Sequence, residues 1–349
     1  IIMMNLKQIK LKKIVLIIVL FLIGLMPLSW PDQIVQILIC FLCSMQFNTF
    51  RQAEGVPMAT TFVTNHIRQV GHFLAKYIRH HEKTYSDRVI LIIENINNEW
   101  AYHGYSGINF YALNSHFGTE EDLINLITEC HKRDIWIMVD VVANHVGAVG
   151  TDFSQINPFN LAEHYHEWCT INDWDNFWLI ENCRLSDLPD LKQENNWVTE
   201  QLDYWIYDLV NKYNIDGIRI DTVLEVPKWF WDKFSSSSSV YQVGEAFHGD
   251  INKVYDYQYH MDAIFNYPLY YVILRTFTNN FGDLGNYYSN ERSKYPHPEL
   301  MSTFIENHDN RRFLNQYNNR AQYTNAIVFT LLWEGIPVHY YGGEQYYSG

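Results

Sequence analysis

From about Ile108 onward, the sequence repeats one unit: a short apolar run ends in polar residues and is followed by a stretch with helical spacing. Thr119 to Arg133 carries apolar residues at helical spacing, and Ile135 to Val142 has the branched composition of a fully buried strand. Such repeats are typical of a parallel sheet flanked by helices. In a β/α barrel, the polar residues at the strand ends gather at one rim, where the active site is built. The sequence therefore predicts an α/β fold, and 349 residues suffice for one large barrel or two ordinary domains.

The charge pattern argues against a nucleic-acid partner. The formal net charge is -14, and apart from the start of the chain the basic residues are scattered. Near the start, Lys10, Lys12 and Lys13 precede the apolar run Ile14 to Met26, which suits a secretory signal within residues 1–30. A second apolar patch, Ile34 to Cys43, keeps a membrane-anchored form as the alternative.

A long polar stretch, roughly residues 147–193, interrupts the repeat and predicts an inserted functional segment or small domain. After it we predict a helix and four strands: Trp197 to Tyr213, then Gly217 to Asp221, Val240 to Gly244, Leu300 to Ile305 and Ile336 to Tyr341. The run Ser235 to Ser239 is interpreted as a low-complexity loop. Residues 31–88 do not join the pattern.

Five cysteines leave at least one outside any intrachain disulfide. Cys169 and Cys183 lie in the polar stretch, and in an exported protein a disulfide between them can staple this stretch. Cys130 falls on a helical pattern and is interpreted as a small buried hydrophobe.

Carboxylates follow three of the predicted strands. In Gly217 to Asp221, the period of two puts Arg219 and Asp221 on one face, so the guanidinium can keep the carboxylate ionised for nucleophilic attack. A purely structural buried ion pair explains this segment equally well. Glu245 ends the next strand among apolar neighbours, which favour retention of a proton for general acid catalysis.

Two further segments have weaker signals. His308 and Asp309 end a later strand and suit a sugar-hydroxyl contact and charge stabilisation, although a polar turn is the simpler reading. Asn144, Glu181 and Asp190 offer oxygen ligands of the kind Ca²⁺ prefers, although such groups are usually only solvated.

Taken together and in order, four segments resemble the signature regions of the alpha-amylase family: Asp140 to His145, Gly217 to Asp221, Val243 to Ala246 and Phe304 to Asp309. The sequence is most similar to secreted fungal-type alpha-amylases from about Glu94 to Gly349, including Ala101 to Tyr105, Ala112 to Leu123, Asn266 to Pro268 and Tyr340 to Gln345. The resemblance implies a (β/α)8 TIM barrel made of residues 89–146 and 194–349. A small calcium-binding domain, residues 147–193, is inserted after the third strand.

The resemblance also implies residue roles. Asp221 corresponds to the nucleophile, Glu245 to the general acid and base, and Asp309 to the transition-state stabiliser. The implied sugar contacts are Tyr105, His145, Arg219 and His308, with a backbone contact at Gly249. The implied calcium ligands are Asn144, Glu181 and Asp190, and the implied disulfide joins Cys169 to Cys183.

The chain departs from the family pattern at several points. Leu224-Glu225 stands where relatives carry Lys-His; the histidine binds calcium through its backbone carbonyl, so Glu225 is expected to replace it, whereas the lysine's sugar contact is lost. Ser106 replaces a stacking tryptophan. The family's first strand and its β-rich C-terminal domain are not found, and we interpret the chain as a fragment or faulty gene model in which residues 31–88 are off-family.

The expected function is endo-hydrolysis of internal α-1,4 bonds in starch or glycogen with retention, by a secreted, monomeric, calcium-binding enzyme. A related transglycosylase or debranching enzyme is the nearer alternative. A non-catalytic amylase-like remnant is the more distant one.

Overall fold

Six short parallel strands form the centre of the described molecule. The computed structural model describes residues 105–115, 117–278 and 283–349. Its strands are β1 (Met138–Val142), β2 (Gly217–Asp221), β3 (Tyr241–Gly244), β4 (Ala263–Ile264), β5 (Ser302–Thr303) and β6 (Ile336–Pro337). β1 to β4 pair in sequence order, β5 pairs with β6, and a parallel bridge between Phe265 and Ser302 links the two groups. All carboxyl ends of the strands therefore lie at one edge.

The strand register brings the charged residues of neighbouring strands side by side. Arg219 of β2 lies opposite Asp140 of β1, and on its other side opposite Val243 of β3. Glu245 follows β3, and its backbone N–H donates to the carbonyl of Ile220 at 2.7 Å. The apolar residues of β2, which is buried throughout, fill the interior, so the polar side chains are concentrated at the carboxyl edge.

Nine α-helices occur within the described ranges: α1 (Glu120–His131), α2 (Phe177–Asn182), α3 (Asn196–Tyr213), α4 (Lys228–Ser238), α5 (Ile251–Val254), α6 (Tyr267–Thr278), α7 (Asp283–Lys294), α8 (Phe313–Tyr317) and α9 (Arg320–Leu332). α1 begins at a capping box, in which Thr119 and Asp122 satisfy each other's backbone N–H groups. α3 begins after Asn195, whose side chain accepts from the N–H of Trp197.

The predicted loop at Ser235 to Ser239 is wrong, because the last turn of α4 runs through most of it. Phe230, Trp231 and Phe234 bury one face of this helix. The Ser236 hydroxyl donates back to the Asp232 carbonyl at 2.9 Å, so serine satisfies helix carbonyls here instead of breaking the helix.

Four predicted strands are shorter than expected. The first begins at Met138 and not at Ile135, and the third begins at Tyr241 and not at Val240. In the last two, only Ser302–Thr303 and Ile336–Pro337 form paired strand. Pro298–Leu300 form a 3-10 turn, which takes the start of the predicted Leu300 to Ile305 strand out of the sheet.

The inserted segment folds back onto the carboxyl end of β1. The N–H of Leu191 donates to the Asn144 carbonyl at 2.8 Å, and the Gln193 amide donates to the Ala143 carbonyl at 3.0 Å. Cys169 and Cys183 form a disulfide across this segment. Cys130, on α1, is a free thiol and only partly buried, so it is less enclosed than the sequence predicts.

Several sequence predictions lie outside the described residues: the signal-like segment 1–30, the region 31–88, and residues 89–104 of the first barrel part. Over the ranges that the structure does describe, no helix combines the length and the apolar character required to cross a bilayer.

Candidate active site

One buried guanidinium, that of Arg219, holds three carboxyl groups at the carboxyl edge of the sheet. Its Nη1 lies 2.8 Å from Asp140 Oδ1 and 2.5 Å from Asp221 Oδ1, and its Nη2 lies 2.8 Å from Glu245 Oε2. The period-two spacing of β2 and the register with β1 and β3 produce this arrangement. Asp221 and Glu245 therefore lie side by side across a single planar group.

The loop after β3 presents Glu245 through close backbone packing. A Cβ atom at Gly244 would lie 2.4 Å from Met261 Sδ and 2.8 Å from Val223, so a side chain there requires its neighbours to move. The N–H of Thr222 donates to Glu245 Oε2 at 3.4 Å, and the Tyr267 hydroxyl donates to Oε1 at 3.2 Å.

Tyr105 and His308 form a ring pair beside these carboxyl groups. The Tyr105 hydroxyl donates to Asp140 Oδ2 at 2.7 Å, and the two rings stack with centroids 5.7 Å apart. His308 Nε2 lies 3.2 Å from Asp309 Oδ2, and His145 Nε2 lies 3.2 Å from the Tyr105 carbonyl oxygen. The predicted contacts Tyr105, His145 and His308 thus meet the predicted catalytic groups at one place.

Burial raises the pKa of both Asp221 and Glu245, and the Arg219 charge opposes the rise. A hydrogen bond from Glu245 to Asp221 lowers the pKa of Asp221 and raises that of Glu245. Of the two groups, this hydrogen bond therefore favours retention of a proton by Glu245. Burial and the Glu245 charge also raise the pKa of Asp309.

A cavity of about 480 Å³ adjoins Asp309 and is lined in part by Tyr271 and Arg311. Gly249 lies in the exposed loop after β3, and a Cβ atom there would lie 2.9 Å from the Tyr271 ring. The backbone of this predicted contact thus approaches the wall of the cavity closely.

Three of the four predicted calcium ligands converge at the root of the inserted segment. One terminal atom of the Asn144 amide lies 2.8 Å from Asp190 Oδ1 and 3.1 Å from the Glu225 carbonyl oxygen. With nitrogen at that position the amide donates to both; with oxygen there, three oxygens face one another. Such a group of oxygens suits a hard cation.

Glu181, the fourth predicted ligand, lies on α2, where its carboxyl interacts with the charges of Lys228 and Glu194. Its carboxyl is half-buried, and burial raises its pKa. Across the described residues, no group of three or more His, Cys, Asp and Glu side chains is arranged to hold a metal ion. The predicted set differs from such a group because it includes an amide and a backbone carbonyl.

His166 fixes the orientation of Asp190. Its Nδ1 lies 2.7 Å from Asp190 Oδ2, and its Nε2 lies 2.9 Å from Glu194 Oε2. The second oxygen of Asp190, Oδ1, is thereby left facing Asn144.

Sequence reasoning missed three residues that belong to this site. Asp140 binds Arg219 as closely as Glu245 does. Its position as an isolated acid within the apolar run Ile135 to Val142 could have indicated this role. Tyr267 and Asn307 lie in segments that the sequence singled out, but nothing in their spacing indicated that they meet.

The family model described as "Alpha amylase, catalytic domain" matches residues 91–349. The chain belongs to the alpha-amylase family. A second model, "Protein of unknown function (DUF1275)", matches residues 5–98.

Curated relatives include an alpha-amylase of Saccharomycopsis fibuligera, 40% identical over 273 residues, which cover 74% of this chain and 55% of that protein. Alpha-amylase 2 of Schwanniomyces occidentalis is also 40% identical, over 74% of this chain and 54% of that protein. The chain therefore spans about half the length of these relatives.

Among solved structures, an alpha-amylase from Malbranchea cinnamomea is 41% identical with a TM-score of 0.71, covering 74% of this chain and 58% of that one. An alpha-amylase from Geobacillus thermoleovorans complexed with acarbose is 31% identical with a TM-score of 0.69, covering 79% and 64%. With the consecutive parallel strands, these matches confirm the predicted amylase-type TIM-barrel class.

Proposed function

We propose that this chain carries the catalytic centre of an enzyme that hydrolyses internal α-1,4-glucosidic bonds of starch or glycogen with retention of configuration. The observation that carries the proposal is the placement of Asp221 and Glu245 on one guanidinium, with Asp309 beside them. Retaining enzymes need two carboxyl groups separated by about 5 Å, one ionised and one protonated. A proton on Glu245 beside an ionised Asp221 would supply that asymmetry, and the opposite effects of their hydrogen bond on the two pKa values support it.

In the first step, ionised Asp221 attacks the anomeric carbon while Glu245 gives its proton to the glycosidic oxygen. The bond to the leaving chain breaks, and an ester forms between Asp221 and the sugar. In the second step, Glu245 takes a proton from water, the water attacks the anomeric carbon, and the ester is released. Asp309 stabilises the positive charge that develops on the sugar ring, and His308 and Tyr105 bind its hydroxyls and face.

The exposure of the side chains at the site suits these proposed roles. The side chains of His308 and Asp309 are 42% and 38% exposed, so a polysaccharide can reach them. Asp221 and Glu245 are each only 9% exposed, which limits the access of bulk water to the reacting pair. The Geobacillus thermoleovorans relative was solved in complex with acarbose, which supports a carbohydrate ligand for this chain.

Asp221→Asn tests the nucleophile, because the amide keeps the shape of the side chain and cannot form the ester. We expect hydrolysis of soluble starch to fall by at least about a thousandfold while the circular dichroism spectrum is unchanged. Asp216→Asn, on an acid outside this site, is the matched control and should keep full activity. Starch turnover by a folded Asp221→Asn protein would refute the assignment.

Product analysis separates hydrolysis from the alternatives within the family. Short oligosaccharides in the α-anomeric form are expected from soluble starch. Cyclic or elongated products indicate a transglycosylase, and cleavage confined to branched substrates indicates a debranching enzyme.

For calcium, we propose binding by Asn144, Asp190 and the carbonyl of Glu225, with Glu181 as a further ligand. When the Asn144 amide oxygen points toward Asp190 and the Glu225 carbonyl, three oxygens face one another, and this convergence supports the site. A bound Ca²⁺ supplies positive charge that holds the inserted segment against β1. A chelator is expected to lower the thermal midpoint of unfolding, and added Ca²⁺ but not Mg²⁺ should restore it.

We also propose that the enzyme is exported and acts as a monomer on extracellular polysaccharide. The basic and apolar start of the sequence and the disulfide between Cys169 and Cys183 support export. Fractionation of expressing cells tests the export, and we expect the activity in the medium.

A further inference from the structure

Tyr267 lies at the start of α6 with its ring fixed by other aromatic side chains. The residue is 1% exposed. Its ring meets those of Phe304 and Phe247 with centroids 5.0 and 4.4 Å apart. The position of its hydroxyl group is therefore set by the packing of the ring.

This hydroxyl joins two catalytic segments. The Asn307 amide donates to the phenol oxygen at 2.7 Å, and the phenol donates to Glu245 Oε1 at 3.2 Å. Because the amide supplies a hydrogen to the phenol oxygen, the phenol's own hydrogen is directed to the carboxyl group. Asn307 Oδ1 also accepts from the N–H groups of Asp309 and Asn310, at 3.2 and 2.9 Å.

We propose that Tyr267 is a positioning residue for the general acid, and that through Asn307 it ties Glu245 to the loop that carries Asp309. This inference rests on the proposed function.

The two oxygens of Glu245 are held by different groups. Arg219 Nη2 and the N–H of Thr222 contact Oε2, whereas Tyr267 contacts Oε1. Without the phenol, rotation about the last side-chain bond of Glu245 is restrained from one side only. Proton delivery to the glycosidic oxygen depends on that orientation.

The phenol keeps its proton under working conditions. Burial, followed by the charges of Glu245 and Asp309, raises the pKa of Tyr267 above its ordinary value. Tyr267 therefore acts as a hydrogen-bond donor to Glu245 and does not itself exchange a proton during turnover.

Tyr287 offers a matched control on the same side of the molecule. It is also buried, and its hydroxyl donates to Asn266 Oδ1 at 2.6 Å, one residue before Tyr267. Tyr287→Phe removes a buried hydroxyl that anchors the start of α6 and whose hydrogen bonds go to Asn266 and Glu291 rather than to Glu245. A general loosening of α6 should thus appear in both variants.

The experiment compares the Tyr267→Phe and Tyr287→Phe variants of the full chain on two substrates, starch and α-maltosyl fluoride. Starch needs a proton from Glu245 for its leaving group, whereas α-maltosyl fluoride does not, because fluoride leaves unprotonated. The measured quantity is kcat/KM, which reports the first step. For Tyr267→Phe we expect an about tenfold loss on starch, the upper end for one hydrogen bond to an uncharged group, and a near wild-type value on the fluoride. Tyr287→Phe should leave the ratio of the two values unchanged.

Equal losses on both substrates, or no loss on starch, would overturn the positioning role. If Tyr267→Phe does not fold, Asn307→Ala takes its place, because it removes the amide that donates to the phenol oxygen and leaves the Tyr267 ring intact. An unchanged ratio of the two kcat/KM values in Asn307→Ala would likewise overturn the positioning role. Asp221→Asn is measured in parallel. Turnover by that variant contradicts the proposed function, whereas an inactive Asp221→Asn beside an unaffected Tyr267→Phe contradicts this inference alone.

Discussion

Replacing Arg219 with methionine should destabilise the protein in a strongly pH-dependent way. Methionine keeps much of the length and the apolar stem and removes the charge. Three buried carboxyl groups, those of Asp140, Asp221 and Glu245, then lose their shared cation at 2.5 to 2.8 Å. Breaking a buried ion pair from one side costs about 3 to 5 kcal/mol, so we expect a loss of that size in the free energy of unfolding at about pH 7.

The sign of the pH dependence follows from the direction of the pKa shifts. Burial raises the folded-state pKa of all three carboxyl groups, and Arg219 opposes the rise. Without Arg219 these pKa values rise further above the unfolded values. The stability that the folded variant gains from its protonated carboxyl groups is present in acid. It is lost as the pH rises from about 4, the unfolded-state pKa, through the folded-state pKa.

The destabilisation should therefore shrink on acidification. Each additional proton bound by the folded variant changes the free energy of unfolding by about 1.4 kcal/mol per pH unit, so about 3 kcal/mol of the deficit should vanish between about pH 7 and pH 5. Urea unfolding of wild type and Arg219→Met at both pH values measures this. Arg275→Met, at an exposed position, is the control. A deficit that stays constant, or grows in acid, would refute the electrostatic reasoning.

Three further predictions concern other parts of the molecule. The double replacement of Cys169 and Cys183 with serine should lower the free energy of unfolding by about 3 kcal/mol, the value for a loop of this length, as read from urea denaturation. His166→Asn should weaken Ca²⁺ binding about ten- to hundredfold in a chelator competition assay, because Asp190 loses its restraint; an unchanged affinity would contradict the site. Gly244→Ala should lower both the thermal midpoint and kcat, because its Cβ displaces the neighbours of Glu245; a fully active variant would show that the loop tolerates the shift.

The sequence predicted strand β2 correctly, because an apolar run with period two leaves few alternatives. Gly217–Asp221 has the same bounds in the structure. The serine run was misread for a physical reason. Propensity favours a loop there, but buried aromatic residues on α4 and the hydroxyls' own hydrogen bonds favour the helix.

The meeting of distant groups could not be predicted from the residues alone. The contact of Asn144 with Asp190, and that of Tyr267 with Asn307, depend on how the inserted segment and α6 return to the strand ends. Residue types and local spacing do not contain that information. The resemblance to the family indicated Asp190 as a ligand, but it did not indicate that His166 orients it.

The covalent intermediate on Asp221 is the central claim, and intact-protein mass spectrometry tests it most directly. The protein is incubated with a 5-fluoro-α-maltosyl fluoride, which forms the ester readily and releases it slowly. We predict one added glycosyl unit that peptide mapping places on Asp221 and that Asp221→Asn lacks. Turnover of the reagent without any adduct, or an adduct on another carboxylate, would contradict the account.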